Sequence, residues 1–435
     1  MNRYCGSPSH HLTRRAFLGN ATGAMIGGTA GLKMLGTPLF AEQLKREQKQ
    51  CILIFLAGGA SQLETWDPKP GTSTGGPFQT IPTSIPGYHV CELLPKMAER
   101  LSQHTAVVRS LDTTNTDHDA GARVLLRGNR PDDSVTDYPT LGSVLAHELE
   151  QRDARVPNHV ALYTAYVGLT LNRVPDAAGF LGSRYDPINI LSRLSPDGLQ
   201  PPKSISDFEH RQRSELRSLL AQQFVRGRQR DSTLASYNDA YQRVRGIMAS
   251  DQLFDISKEP QNVRDRYGPT LFGQQALVGR RLIEAGVPFV RLNRGWWDSH
   301  GENFETHLEL VPELDHVMAV LMDDLQERGL LENTLVVTFS EMGRTPAINV
   351  MRGRDHWGAA WSATLSGLGV KPGAVYGATN DNGTEVIDGK VDVAKFYATI
   401  FQALGIDHQK EFKASDGRPV VLTDYGTEPI REILA

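Results

Sequence analysis

The chain has 435 residues, 40% of them hydrophobic and 22% charged, with a formal net charge of −4. This is an ordinary globular balance on a chain long enough to bury a large core. No basic block is present, which argues against a nucleic-acid partner, and no run of about 18 apolar residues marks a spanning helix in the mature chain.

Residues 1–41 stand apart. Arg14-Arg15 is followed by Phe17-Leu18, then by the weakly apolar, glycine-rich "ATGAMIGGTAGLKMLG", then by "TPLFA" ending at Ala41. The segment carries Arg3, Arg14, Arg15 and Lys33 and no acid. A charged start, a modest apolar stretch and a small final residue predict an export signal. The paired arginines predict the twin-arginine route, hence a periplasmic or secreted protein. Cys5 leaves with this segment, and Cys51 and Cys91 either pair or sit buried.

Residues 42–435 read as one domain. "CILIFLAGG" (51–59) is a strand closed by a Gly-Gly turn, and "PGTSTGGPFQTIPTSIPG" (70–87) is loop. "LLPKMAERLSQ" has helical spacing, "TAVVRSL" is a second strand, "YPTLGSVLAHELEQ" a helix and "HVALY" a third strand. Residues 165–268 break the rhythm and predict a helical insertion with a solvated charged face. The alternation then resumes: helix "LFGQQALVGRRLIEAG", strand "PFVRLN", helix "LELVPELDHVMAVLMDDLQERG", strand "TLVVTF" and a late helix "VAKFYATIFQALG". Strands alternating with helices predict an α/β fold: a mostly parallel sheet with helices on both faces.

In such sheets ligands sit outside the carboxyl ends of the strands, so residues just past each strand carry the information. After the first strand, Gly58 and Gly59 permit close backbone approach, with Glu64 and Asp67 nearby; a plain turn with acids is the alternative. After the second, Asp117, His118 and Asp119 fall at a helix N-terminus, where an anion is favoured, the alternative being an Asp cap. After the fourth, Asp298 and His300, with Glu302 and His307 close in sequence, suit a divalent metal. After the fifth come Glu341 as ligand or base, Arg344 and Arg354 as a bidentate anion clamp, and Asp355-His356 completing a metal site or a base. A structural Arg–Glu ion-pair network is the competing reading of the arginines.

The segments "GGASQLETWDPKPG", "GWWDSHGENF", "LMDDLQERGLLENTLVVTFSEMGRTP", "GRDHWG" and "VYGATND" resemble the exported bacterial family known as domain of unknown function 1501. Gln62 and Glu64 stand where that family usually has His and Asp. The family looks like a branch of the alkaline-phosphatase-like clan of sulfatases and phosphatases. The resemblance implies that clan's fold and hydrolysis of phosphate or sulfate esters by a metal-activated nucleophile at a helix N-terminus. Aligned on Gly128, the clan's nucleophile position falls on His118, which is neither formylglycine nor Ser or Thr. The clan's acid after the first strand falls on Gly58-Gly59, and its Asp-His after the fifth strand becomes Glu341-Met342. What remains implies one divalent ion (Zn, Ca, Mg or Mn) on Asp298, His300 and His356, with Glu341 as a further ligand or base. His118 would act as nucleophile or base, and Arg344 or Arg354 would hold the anion of a small molecule or of a sulfated or phosphorylated glycan. The alternative is a non-catalytic periplasmic binding protein with a degraded site.

Overall fold

The computed structural model describes residues 48–128, 138–150, 156–165, 177–197, part of 206–220, and 251–435. The expected signal, residues 1–41, lies outside the described residues. Lys49–Ala435 forms one compact unit.

Its centre is an eight-stranded sheet. In chain order the strands are β1 (Gln50–Leu56), β2 (Thr105–Asp112), β3 (His159–Tyr163), β4 (Ile188–Leu191), β5 (Phe289–Arg294), β6 (Thr334–Phe339), β7 (Ala359–Gly367) and β8 (Val375–Tyr376). In space they run β8-β2-β7-β6-β1-β5-β3-β4. Every pairing is parallel except those of β7, which runs against both β6 and β2. β1, at the centre, pairs Cys51 with Phe289 on β5 and Phe55 with Phe339 on β6.

All seven residues of β1 are buried, because both faces of the sheet are covered. The alternation sorts them: Ile52, Ile54 and Leu56 enter one core, and Cys51, Leu53 and Phe55 the other. The first core is closed by α1 (Pro95–His104), α4 (Leu271–Glu284) and α5 (Asn303–Glu327). The second is closed by α2 (His118–Arg127), α3 (Leu141–Glu148) and α6 (Val393–Ala403). The mostly parallel sheet with helices on both faces therefore holds. Cys51 and Cys91 are free and buried.

The expected insertion, residues 165–268, is described in part. Ile188–Leu191 within it is a strand that extends the sheet beside β3. Asp251–Phe254 and Gln261–Arg266 are short helices, and Phe254 joins the first core.

Candidate metal centre

The carboxyl ends of β1, β2, β5 and β6 share one edge of the sheet, and the chain enters β7 from that same edge. Five segments meet there: Gly58–Gly59 after β1, Thr116–His118 after β2, Asp298–His300 after β5, Glu341–Arg344 after β6, and Asp355–His356 before β7. Gly343–Arg344 and His356–Trp357 form a two-residue antiparallel pair, which brings the last two segments together.

His118 opens α2, whose N-terminus is capped by Asp117 accepting from the Ala120 N–H at 2.8 Å. The Asp-cap alternative thus holds for Asp117, and it sets the helix start that aims His118. The His118 Nδ1 lies 2.8 Å from Glu341 Oε1 and its Nε2 3.2 Å from Asp298 Oδ2. Burial works against a charged His118 ring, but hydrogen bonds to Asp298 and Glu341 win and push it up to about 9. Burial likewise opposes ionisation of Asp298, yet His118 and Arg344 hold its carboxyl far below the usual range.

The other two imidazoles follow one pattern. His356 Nδ1 lies 2.6 Å from the Thr116 carbonyl, which can only accept, so Nδ1 carries the proton. His300 Nδ1 lies 2.8 Å from Asp355 Oδ1 and is protonated by the same reasoning. In the neutral rings both Nε2 atoms are then lone-pair acceptors. They face each other at 2.9 Å, and each lies within reach of Asp298 Oδ1, at 3.2 Å from His300 and 3.3 Å from His356. Three acceptors converging on one point call for a cation among them. An oxygen on the far nitrogen of each ring is the outer shell that ligating histidines use. One ligand atom each from His118, Asp298 and His356 lies within 4.8 Å of the others, and His300 flanks Asp298 and His356. The donor set fits a metal ion.

Glu341 is not part of this convergence. It is fully buried behind His118, and its Oε1 also accepts from the Gly58 N–H at 2.8 Å. Through Oε1 it holds the His118 ring. Gly58 has φ +116°, and a Cβ there would sit 2.5 Å from the Asp298 nitrogen, so only glycine lets the β1 and β5 loops touch.

The expected anion clamp dissolves into structure. Arg344 and Arg354 are fully buried. Arg344 donates from Nη2 to Asp298 Oδ1 at 2.5 Å and to the Gly58 carbonyl, from Nε to Gly59 O at 2.8 Å, and from Nη1 to Arg354 O at 3.1 Å. Arg354 forks onto Glu64, with Nη2 to Oε1 at 2.7 Å, and donates to the carbonyls of Thr345, Pro346 and Thr74. All five N–H groups of Arg354 and four of the five of Arg344 are thus engaged within the protein, Arg354 in the Arg–Glu pairing that the competing reading expected. Asp67 likewise pairs with Lys69, Arg109 and Thr379. Buried His307 accepts from the Ser61 N–H at 3.1 Å and stays outside the cluster.

Backbone strain concentrates here. Among the described residues six non-glycine positions have positive φ, and five flank the site segments: Thr114, Trp296, Glu302, Arg352 and Ala360. Such conformations cost about 1–3 kcal/mol each and persist where the surroundings over-determine them.

The fold is thus a mostly parallel α/β sheet with a histidine–aspartate cluster at the carboxyl ends of its strands, the place where such sheets take ligands. The chain belongs to the family described as Protein of unknown function (DUF1501), whose model matches residues 48–434. No curated protein matches it. Among solved structures it is similar to the PsFucS1 sulfatase from Pseudoalteromonas sp., at 13% identity over 85% of this chain and 70% of that one, TM-score 0.40. It is also similar to a protein in the alkaline phosphatase superfamily from Vibrio parahaemolyticus (11%; 83% and 67%; TM-score 0.36). A third is a TAB5 alkaline phosphatase mutant with Mg bound (11%; 83% and 99%; TM-score 0.38).

Proposed function

We propose that the chain is an exported hydrolase of phosphate or sulfate monoesters that works with one divalent metal ion on Asp298, His300 and His356, with His118 beside them. One observation carries the metal: the Nε2 atoms of His300 and His356 and the Oδ1 of Asp298 converge within 2.9–3.3 Å, with the Arg344 guanidinium as the donor to that oxygen. Imidazoles with one carboxylate suit zinc better than calcium, magnesium or manganese, which prefer oxygen.

Held by Asp298, His300 and His356, a divalent ion would supply Lewis-acid chemistry at the ester oxygen and make water more acidic. The protein's own groups do the rest. Asp355 and the Thr116 carbonyl fix the rings of His300 and His356 so that only Nε2 faces the site. Glu341 holds the Nδ1 of His118 and leaves its Nε2 on the reacting side. His118, its Nδ1 held by Glu341 and its Nε2 directed toward Asp298, is placed to hand a proton to the departing alkoxide.

Metal content of residues 42–435 after gentle purification, beside His356→Ala, tests this. Near one equivalent of metal in the wild type, lost in the variant, is expected. Hydrolysis of an aryl phosphate or aryl sulfate should fall by more than the roughly 100-fold that a lost outer-shell partner costs. Full activity in the variant overturns the reading. The burial of Arg344 and Arg354 and their engagement by protein groups favour a second reading, a binding protein that keeps the metal and turns nothing over; bound metal without hydrolysis of either ester would select it.

A further inference from the structure

Trp296 is exposed to 64% while its neighbour Trp297 is fully buried. Through this stretch exposure strictly alternates: Gly295, Trp297 and Ser299 are buried, and Trp296, Asp298 and His300 are exposed. The exposed Trp296 thus stands two residues before Asp298 and four before His300 in the same loop. Its φ of +75° is a backbone state that a bulky side chain rarely adopts. The chain therefore holds a large apolar ring in water on a strained backbone, beside the cluster, and no packing gain accounts for either.

A second apolar group lies at the other end of the segment. Met351, 68% exposed, places its Cε 3.6 Å from where a Gly301 Cβ would stand, and its carbonyl accepts from the Glu302 N–H at 3.2 Å. The charged group beside it is spent: Arg352 is paired with Glu305. The run from residue 296 to 301 thus leads from an exposed indole, through two ligand residues, to an exposed thioether.

We infer that Trp296 is a specificity-determining platform for the flat face of a ring, aryl or pyranose, in the part of the ester that is not transferred. The inference rests on the metal-dependent ester reading above. An indole stacks on either ring by its face, and such a contact is worth about threefold to tenfold in affinity.

The test is binding, by calorimetry, of phenyl phosphate, glucose 6-phosphate and methyl phosphate to the metal-loaded full chain. Wild type, Trp296→Ala and Trp296→Phe are compared, with metal content and hydrolysis read in parallel. At least one ring ester should bind wild type about threefold to tenfold tighter than methyl phosphate; phenyl marks an aryl substrate, glucose 6-phosphate a sugar. That advantage should vanish in Trp296→Ala and return in Trp296→Phe, with metal content unchanged in all three. Equal binding of the three esters by wild type, no binding of any, or a ring preference that survives in Trp296→Ala overturns the platform. Ring preference without turnover would sink the hydrolase reading alone, and turnover without ring preference the platform alone.

Discussion

Glu64 and Arg354 form an ion pair at zero exposure, with Arg354 Nη2 2.7 Å from Glu64 Oε1. Removing the charge from one partner leaves the other buried and uncompensated, which costs about 3–5 kcal/mol. Glu64→Gln should therefore lower stability by that order, read as a shifted midpoint in denaturant unfolding. Burial pushes the Glu64 carboxyl up, but the Arg354 guanidinium and its hydrogen bonds hold it below its ordinary value of 4.5. A depressed folded-state value means that the pair's stability is full above the unfolded value and is lost as pH falls through the folded one. The gap between wild type and variant should stay level from neutral pH down to that ordinary value and close only below it. At this scale the sequence was legible where a residue follows a strand directly. His118, Asp298, His300 and His356 all lie at the edge that strand ends define. It was illegible where burial decides the role: nothing local tells that Arg354 spends its donors on Glu64 and three carbonyls, or that Glu341 stands behind His118 and not beside it.

α5 shows the same limit between elements. Asp315, in the middle of that helix and 2% exposed, accepts from the Met97 N–H at 2.7 Å and the Lys96 N–H at 3.0 Å. Those are free donors of the first turn of α1, whose own N-cap position, Leu94, has no side-chain bond to give. One helix thus caps another. Asp315→Ala should cost about 1–2 kcal/mol, as a lost cap does, and lower the thermal midpoint without changing metal content. The long apolar strands β1, β5 and β6 could be read from composition alone. β7 could not: Thr364 and Ser366 interrupt its apolar pattern, yet both are buried, and Ser366 bonds to Thr105 on β2 at 2.9 Å. The Ser366 hydroxyl is satisfied by a neighbour more than two hundred residues away, a contact no local pattern contains. β4, four residues long, fell below the length at which periodicity speaks.

Across the whole molecule, helices on both faces of a parallel sheet followed directly from alternating strand and helix patterns, because each pattern must bury its apolar side against the other. Export remains a proposal carried by Arg14 and Arg15. Replacing both by lysine should leave a reporter fused after Ala41 in the cytoplasm, measured by cell fractionation; unchanged export of that fusion would refute the twin-arginine route. The central position of β1 has a consequence for synthesis. Its seven buried residues are among the first of the domain to leave the ribosome, yet the register of Phe55 with Phe339 is separated by roughly 280 residues of chain. At about 5–20 residues per second that is roughly 15–60 s of translation. Throughout that interval the fully buried strand at the centre of the sheet has no β6 to pair with, so its apolar side chains and strand edge stay exposed until the last third of the chain is made.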